Sequence, residues 1–327
     1  MMNRRTFAAL AASAFTATTL TLGAPALAES KGKLVYLTPG LDLAFWRYVS
    51  EGVKSVAEAQ GYDFAALDST NDPQTQLQNA KDAIAQGVKG IILSPTDSST
   101  APAVLSLAAA AGIPVVIADI GTDSGDYVSV IGSDNYEGAN GVGKALAEAM
   151  KAAGKDTGSI GIVGISQARL NGQARTKGFK DAVTAAGITG DAGLQQMQAY
   201  TADETFKFTQ DMITANPTMT AMFVQTDGPS LGALRAIKAA HMDGQVLVAA
   251  FDGIPEFVPL LQSGELVVSG MQQPFLMGAT SAKAMIEHLG GGTPEKKIVV
   301  PILVVTSKNI DTLLPTIKET VFANEMK

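Results

Sequence analysis

The sequence predicts an α/β protein of two lobes with related build, each a doubly wound parallel sheet with helices on both faces. Short β-like runs alternate with amphipathic helical stretches along nearly the whole chain, as parallel strands joined by helical crossovers require. Several helical stretches end in Gly shortly before the next strand, a stop signal. The alternation breaks once, over a polar, Gly-rich stretch at 120–135 that encloses a short run at 127–131, and a second cycle starts at Ser159 with similar spacing. Eight or nine strand–helix units fit either a barrel or two sheets, and the break with its restart favours two sheets.

The elements run in order. Apolar, β-branched runs predict strands at 33–38, 63–67, 90–94, 114–119, 159–164, 194–199, 220–224, 246–251 and 266–271. Apolar residues at three- and four-residue spacing predict helices at 46–60, 74–86, 100–111, 137–153, 172–186, 204–215, 229–240 and 273–289. Gln60-Gly61, Gln86-Gly87, Ala111-Gly112 and Ala186-Gly187 mark helix ends. The predicted first lobe is 31–133 plus 273–300, and the second is 134–272 plus 301–327. The chain then crosses between lobes near Ser133, Gln272 and Val300.

Residues 1–28 have the build of a cleaved export signal. A basic start (Arg4, Arg5) precedes an apolar run at 7–22 and the small-residue exit Ala26-Leu27-Ala28, with the cut expected after Ala28. The run is shorter than the ~20 residues of a spanning helix, which argues against a membrane anchor. Arg4-Arg5-Thr6-Phe7 has the look of a twin-arginine signal, but adjacent arginines also occur in ordinary signals, so both export routes stay open. No Cys follows the cut, against a lipid anchor, so the protein is expected to leave the cytoplasm in soluble form.

Composition narrows the function. The chain has no Cys, so it carries no disulfide framework, thiol nucleophile or cysteine-bound metal. With 46% hydrophobic residues it can build an ordinary core. Losing the signal deletes two Arg and moves the formal charge from −7 to −9, a poor balance for nucleic acid. His241 and His288 sit in helical, polar stretches and read as surface residues. No oxygen-ligand spacing suits a metal, and no cofactor is expected.

In open parallel sheets, ligands bind beyond the carboxyl ends of strands. Those positions hold Phe45 and Trp46, Ser94, Asp97 and Asp119 in the first lobe. In the second they hold Gln167, Arg169, Gln173, Arg175, Tyr200, Thr226, Asp227, Phe251, Asp252 and Gln272. Carboxylates accept hydroxyl hydrogen bonds, amides donate and accept, and aromatic rings pack on sugar C–H faces. Taken singly, an Asp after a strand also serves as a helix cap and Phe251 also suits a core. Together they suit a polyhydroxylated small molecule held between two walls.

Several motifs then carry a family resemblance. Asp68-Ser-Thr-Asn-Asp-Pro-Gln, Ser94-Pro-Thr-Asp-Ser, Gly112-Ile-Pro-Val-Val-Ile-Ala-Asp119, Gly132-Ser-Asp-Asn135, Leu231-Gly-Ala-Leu-Arg-Ala236 and Phe251-Asp-Gly-Ile-Pro255 resemble the ribose-binding-protein type of periplasmic solute receptor. They run in order from about Lys33 to Val305. The resemblance implies the type I periplasmic binding protein fold, two Rossmann-like lobes that close over one sugar. It implies delivery to the permease of an ABC importer, driven by a cytoplasmic ATPase, and a monomer suits that role.

By the resemblance, Phe45 and Trp46 match the aromatic pair flanking the sugar ring. Asp119 and Asp252 match the two carboxylates, Gln272 the hinge amide, and Tyr200 the second-lobe aromatic wall. Ser94 replaces an Asn, Ile120 replaces an Arg, and Leu43 beside Asp42 replaces a polar residue. Thr226 replaces the amide before Asp227. Gln173 holds an Arg position, Arg175 looks like the neighbouring Arg, and Arg169 is placed to swing in. Ile120 argues against plain ribose, because a guanidinium fork fixes ring oxygen and hydroxyls. A deoxy or branched sugar, a short polyol or a methyl-bearing derivative fits better.

Other readings are weaker. An exported hydrolase could pair Asp119 with Asp252, but no G-x-S-x-G elbow is present. A nucleotide enzyme lacks a Walker lysine loop, and Gly141-x-Gly143 lies within a helical stretch. A repressor with this fold lacks its DNA-binding helices. A receptor feeding a chemoreceptor or sensor kinase would carry the same pocket and differ in its partner.

Overall fold

The run Lys33–Thr38, KLVYLT, forms strand β1 and shows how the sequence builds a two-faced sheet. Leu34 and Tyr36 enter one buried cluster with Ile92 and Val116. Val35 and Leu37 enter another with Ile91 and Leu93 on the opposite face. A strand covered on both sides needs apolar residues at every position rather than alternate ones. The computed structural model describes residues 30–323 and 325. The expected signal at 1–28 lies outside them.

The first sheet joins β1 to β2 (Asp63–Asp68), β3 (Gly90–Leu93), β4 (Val115–Ala118), β5 (Ser129–Gly132) and β11 (Lys297–Val299), in the order β11-β5-β4-β3-β1-β2. All its pairings are parallel. Helices α1 (Ala44–Ala59), α2 (Pro73–Ala85), α3 (Ala101–Ala110) and α9 (Pro274–Leu289) accompany it. Asp72 caps α2 by accepting the N–H groups of Gln74 (3.2 Å) and Thr75 (3.0 Å), with Pro73 at the first position. Gly87 and Gly112 end α2 and α3 with φ of 68° each, the predicted stops.

The second sheet takes β6 (Ser159–Gly164), β7 (Gly190–Gln196), β8 (Met219–Val224), β9 (Leu247–Phe251), β10 (Val268–Met271) and β12 (Leu303–Thr306), in the order β12-β10-β9-β8-β6-β7. The same two-faced burial recurs: Ala221 and Phe223 of β8 face one cluster, Met222 and Val224 the other. Helices α4 (Asn135–Ala152), α5 (Leu170–Ala185), α6 (Ala202–Ala215), α7 (Ser230–Ala239), α8 (Phe257–Ser263) and α10 (Ile310–Thr320) belong with it. The two sheets share one strand order, displaced by one cycle, as the repeat of spacing predicts.

The structure departs from expectation in three places. β12 pairs antiparallel with β10, because the chain returns from β11 through a short crossing and meets the second sheet head-on. β7 spans Gly190–Gln196 rather than 194–199. It is an edge strand with one face exposed, so its start, Gly-Asp-Ala-Gly, carries no apolar signal. Residues 198–200 instead form a loop whose N–H groups donate to the Glu204 carboxylate. Helices α8 and α10 and strands β11 and β12 were not predicted, being short or polar.

Helix α9 returns the chain from β10 to the first sheet and packs closely on α1. A Cβ at Gly52 would strike the Phe275 carbonyl, and one at Gly278 the Val49 carbonyl, so glycine is required at both. From the other side of α1, Tyr48 enters the second sheet's cluster and packs on Phe322 at 6.3 Å. Strand ends of both sheets thus face a common cleft with α1 and α5 on either side.

Candidate functional site

Two aspartates define the floor of the cleft. Asp119 directly follows β4 and donates its N–H to the Ile131 carbonyl at 2.8 Å. Asp252 directly follows β9 and donates its N–H to the Gly270 carbonyl at 2.9 Å. Both adopt left-handed backbone, φ 64° and 63°, a conformation that Asp tolerates better than most residues.

Their carboxylates are buried but differently satisfied. Asp252 accepts from Arg175 Nη1 at 3.1 Å on one oxygen and from Gln272 Nε2 at 2.8 Å on the other. Asp119 accepts from Asn171 Nδ2 at 3.1 Å, and its other oxygen, Oδ1, has no partner among the described residues. Burial pushes the Asp119 carboxyl up to about 6, opposed by Arg175 and aided by the Asp252 charge. Burial also raises Asp252, against the pull of Arg175.

Arg175 is held as tightly as the aspartates. Its Nε donates to Asn135 Oδ1 (2.7 Å), its Nη1 to the Gln225 carbonyl (2.7 Å), and it lies 4.1 Å over the Phe251 ring. Phe251 is therefore the platform beneath Arg175 in the core, not a cavity wall. Gln272 likewise acts through Asp252, fully buried behind it.

Around this floor lie Leu43, the edge-to-face pair Phe45 and Trp46 (ring centres 4.8 Å apart, 87° between planes), Ile165, Tyr200 and Thr226. They line a narrow cavity of about 20 Å³ between the two sheets, so a ligand larger than a water enters only as the walls part. Tyr200 is set by left-handed backbone (φ 55°) and by its hydroxyl, which accepts the Ser166 N–H at 3.1 Å.

Several groups bind one lobe to the other. Arg169 donates from Nε to the Thr96 carbonyl (2.8 Å) and from Nη2 to Asn71 Oδ1 (2.7 Å), while lying 5.0 Å from the Tyr200 ring centre. Asp227 accepts the Phe45 N–H at 3.2 Å, and Leu170 N–H donates to Ser98 Oγ at 3.2 Å. The Asp227 carboxyl is pushed up to about 6, first by burial and then by the Asp252 charge. Arg169 thus spans the cleft at the cavity's edge, and Asp227 sits behind its wall.

Three more predicted residues lie away from the cavity wall. Gln173 is exposed and donates to the Gln167 carbonyl at 2.9 Å. Residues two apart on a helix point to opposite sides, so with Arg175 facing the cleft Gln173 faces out. Asn171, four before Arg175, takes the inward place, and that i, i+4 spacing was readable in the sequence. Ser94 is fully buried, its hydroxyl donating to the Ala118 carbonyl (2.9 Å) and meeting Tyr36 Oη at 3.0 Å. It fixes the strand ends rather than facing the cavity. Asp42 is exposed at the mouth and bonds the adjacent Leu43 N–H at 3.1 Å. Ile120 is also core, packed with Val116 and Ile131 rather than lining the cavity. Ile165, which the sequence did not single out, directly follows β6, a strand end that polar-residue searching passes over.

The family comparison agrees with this geometry. Residues 34–293 match the model of the periplasmic binding protein domain. The chain belongs to the periplasmic binding protein family. Among relatives of this periplasmic binding protein, the ribose import binding protein of Salmonella typhimurium is 32% identical over 304 residues, covering 93% of this chain and 99% of that one. The ribose import binding protein of Haemophilus influenzae is 31% identical over 287 residues, covering 88% and 96%. A carbohydrate transporter solute-binding protein of Agrobacterium radiobacter, solved with D-arabinose, superposes with a TM-score of 0.83 at 23% identity, covering 90% and 99%. As a periplasmic binding protein, the chain is a binder of solutes and not an enzyme. Among the described residues no helix is long and apolar enough to cross a membrane.

Proposed function

We propose that this chain is the solute receptor of an ABC importer, binding a small sugar, deoxy sugar or polyol in the cleft and delivering it to a membrane permease powered by a cytoplasmic ATPase. The observation that carries this reading is Asp119 Oδ1, a buried carboxylate oxygen without a protein partner among the described residues, set in a cavity walled by Phe45, Trp46 and Tyr200. A hydroxyl donates to that oxygen while the sugar's C–H face packs on the rings. Arg175 offers a further polar contact, and relatives named for ribose support the ligand class.

The lobes, 31–133 plus 273–300 and 134–272 plus 301–327, move about the crossings near Ser133, Gln272 and Val300. A ligand touching both favours closure by its differential contacts, and the closed pair presents the permease with its docking surface. Arg169 and Asp227 add protein–protein bonds to that closed state. The receptor works as a monomer, exported to the periplasm by the Sec or twin-arginine route.

A thermal-shift screen against pentoses, hexoses, deoxy sugars and C4–C6 polyols tests this reading. Ligand at ~100 times its dissociation constant adds about 2.7 kcal/mol, a shift of several degrees. A sugar or polyol that raises Tm, with the effect lost in Asp119→Asn, supports the reading. Silence across the panel overturns it.

A further inference from the structure

The cavity's polar capacity is largely spent on the protein itself. Both Asp252 oxygens are occupied, by Arg175 and Gln272. Arg175 uses Nε and Nη1 on Asn135, Gln225 and Asp252. Asn171 gives its amide hydrogen to Asp119 and accepts the Gly172 N–H at 3.0 Å. The Thr226 hydroxyl turns toward Asp227 at 3.4 Å. Of the buried side-chain atoms without a partner among the described residues, Asp119 Oδ1 is the one on a residue lining this cavity.

Besides the rings of Phe45, Trp46 and Tyr200, two side chains of the lining are wholly aliphatic, one from each sheet. Leu43 stands at the start of α1 and packs against the buried clusters of both sheets. Ile165 follows β6 in the second sheet, 4% exposed, within one of those same clusters. Neither side chain can hydrogen-bond, and the backbone around Leu43 is fixed. Arg47 Nη1 donates to the Leu41 and Asp42 carbonyls at 3.0 and 2.8 Å, and the Leu41 N–H donates to Asp68 at 3.1 Å. The loop is held with the Leu43 side chain lining the cavity.

We propose that Leu43 and Ile165 form an apolar subsite that selects a deoxy sugar, one carrying a methyl or methylene where its parent carries a hydroxyl. The proposal rests on the sugar-receptor reading and adds the group that sets its selectivity. A parent hydroxyl facing Leu43 and Ile165 gives up its water partners and gains none. An apolar pocket rejects an added hydroxyl by about 100-fold. The ring's other hydroxyls meet Asp119 Oδ1 and Arg175.

Isothermal titration of the purified protein with matched pairs tests this: D-fucose and D-galactose, L-fucose and L-galactose, L-rhamnose and L-mannose, 2-deoxy-D-ribose and D-ribose. At least one deoxy sugar is expected to bind about 100-fold more tightly than its parent. Leu43→Asn and Ile165→Asn, checked for a cooperative melt, are each expected to cut that ratio by about tenfold. Either variant suffices if the other does not fold, and the wild-type pairs stand without both. Parents binding as tightly as their deoxy partners, with binding lost in Asp119→Asn, overturn the apolar subsite and leave the sugar reading standing. An unchanged ratio in the folded variants also overturns it. Binding by no sugar in any pair overturns both.

Discussion

Asp119 and Asp252 occupy equivalent points of the two lobes, each one residue past a strand and each in left-handed backbone at φ 64° and 63°. That conformation costs a residue with a Cβ about 1–2 kcal/mol, and both aspartates adopt it. The two carboxylates nevertheless divide the labour. Asp252 anchors Arg175, whereas one oxygen of Asp119 has no partner among the described residues and is the atom proposed to meet the ligand.

Asp119→Asn is expected to weaken ligand binding by about 10- to 150-fold, the worth of a hydrogen bond to a charged group (about 1.5–3 kcal/mol). The same substitution removes a buried charge, so the ligand-free protein should melt at a higher temperature at about pH 7.5, above the raised Asp119 value. Titration calorimetry and a thermal melt read the two effects in opposite directions.

The raised carboxyls of Asp119 and Asp227, both about 6, fix a pH dependence. Between the ordinary carboxylate value near 3.8 and about 6, the folded state holds more protons than the unfolded one. Stability of the ligand-free protein therefore falls as pH rises through that window and levels above it. Affinity runs the other way, since hydroxyls bind the ionised Asp119: it should rise from about pH 5 to about 7 and then plateau. Denaturant melts and titrations across that range measure both.

Arg175→Lys should not rescue Arg175→Ala. A lysine is a single point of charge and cannot serve Asn135, Gln225 and Asp252 at once. Arg175→Ala leaves Asp252 buried without its cation, a loss of about 3–5 kcal/mol by urea denaturation.

Gln173→Ala and Asn171→Ala separate the sequence expectation from the observed helix face. The first is expected to alter stability by less than about 0.5 kcal/mol and leave affinity unchanged. Asn171→Ala frees the second Asp119 oxygen and removes an interlobe bond, so affinity should fall severalfold.

Arg169→Ala is expected to open the cleft, since it removes the bonds to Thr96 and Asn71 that cross between lobes. Small-angle scattering of the ligand-free variant should give a larger radius of gyration than wild type, and affinity should fall by about tenfold as closure loses those bonds.

Much of the fold was legible because buried parallel strands must be apolar at every position, as in KLVYLT, and helices stop at glycines such as Gly87 and Gly112. The edge elements were not, because β7 is half exposed, β11 has three residues and β12 is a partly exposed edge strand. That Asp119, Asp252, Phe45, Trp46 and Tyr200 line one cavity is legible from the strand-end rule and the family resemblance. Ser94 and Phe251 turn into the core rather than toward the cavity, and sequence position shows that a side chain is near a strand end, not which way it turns. Ile165 was passed over because its part is apolar, and chemistry-led searching looks for polar groups.

The central claim is that a sugar or polyol sits between the lobes on Asp119. Isothermal titration of wild type and Asp119→Asn with the best ligand from the thermal screen tests it most directly. The account predicts one-to-one binding by wild type, weakened at least about tenfold in a folded Asp119→Asn protein. Equal affinity in the two proteins would contradict it.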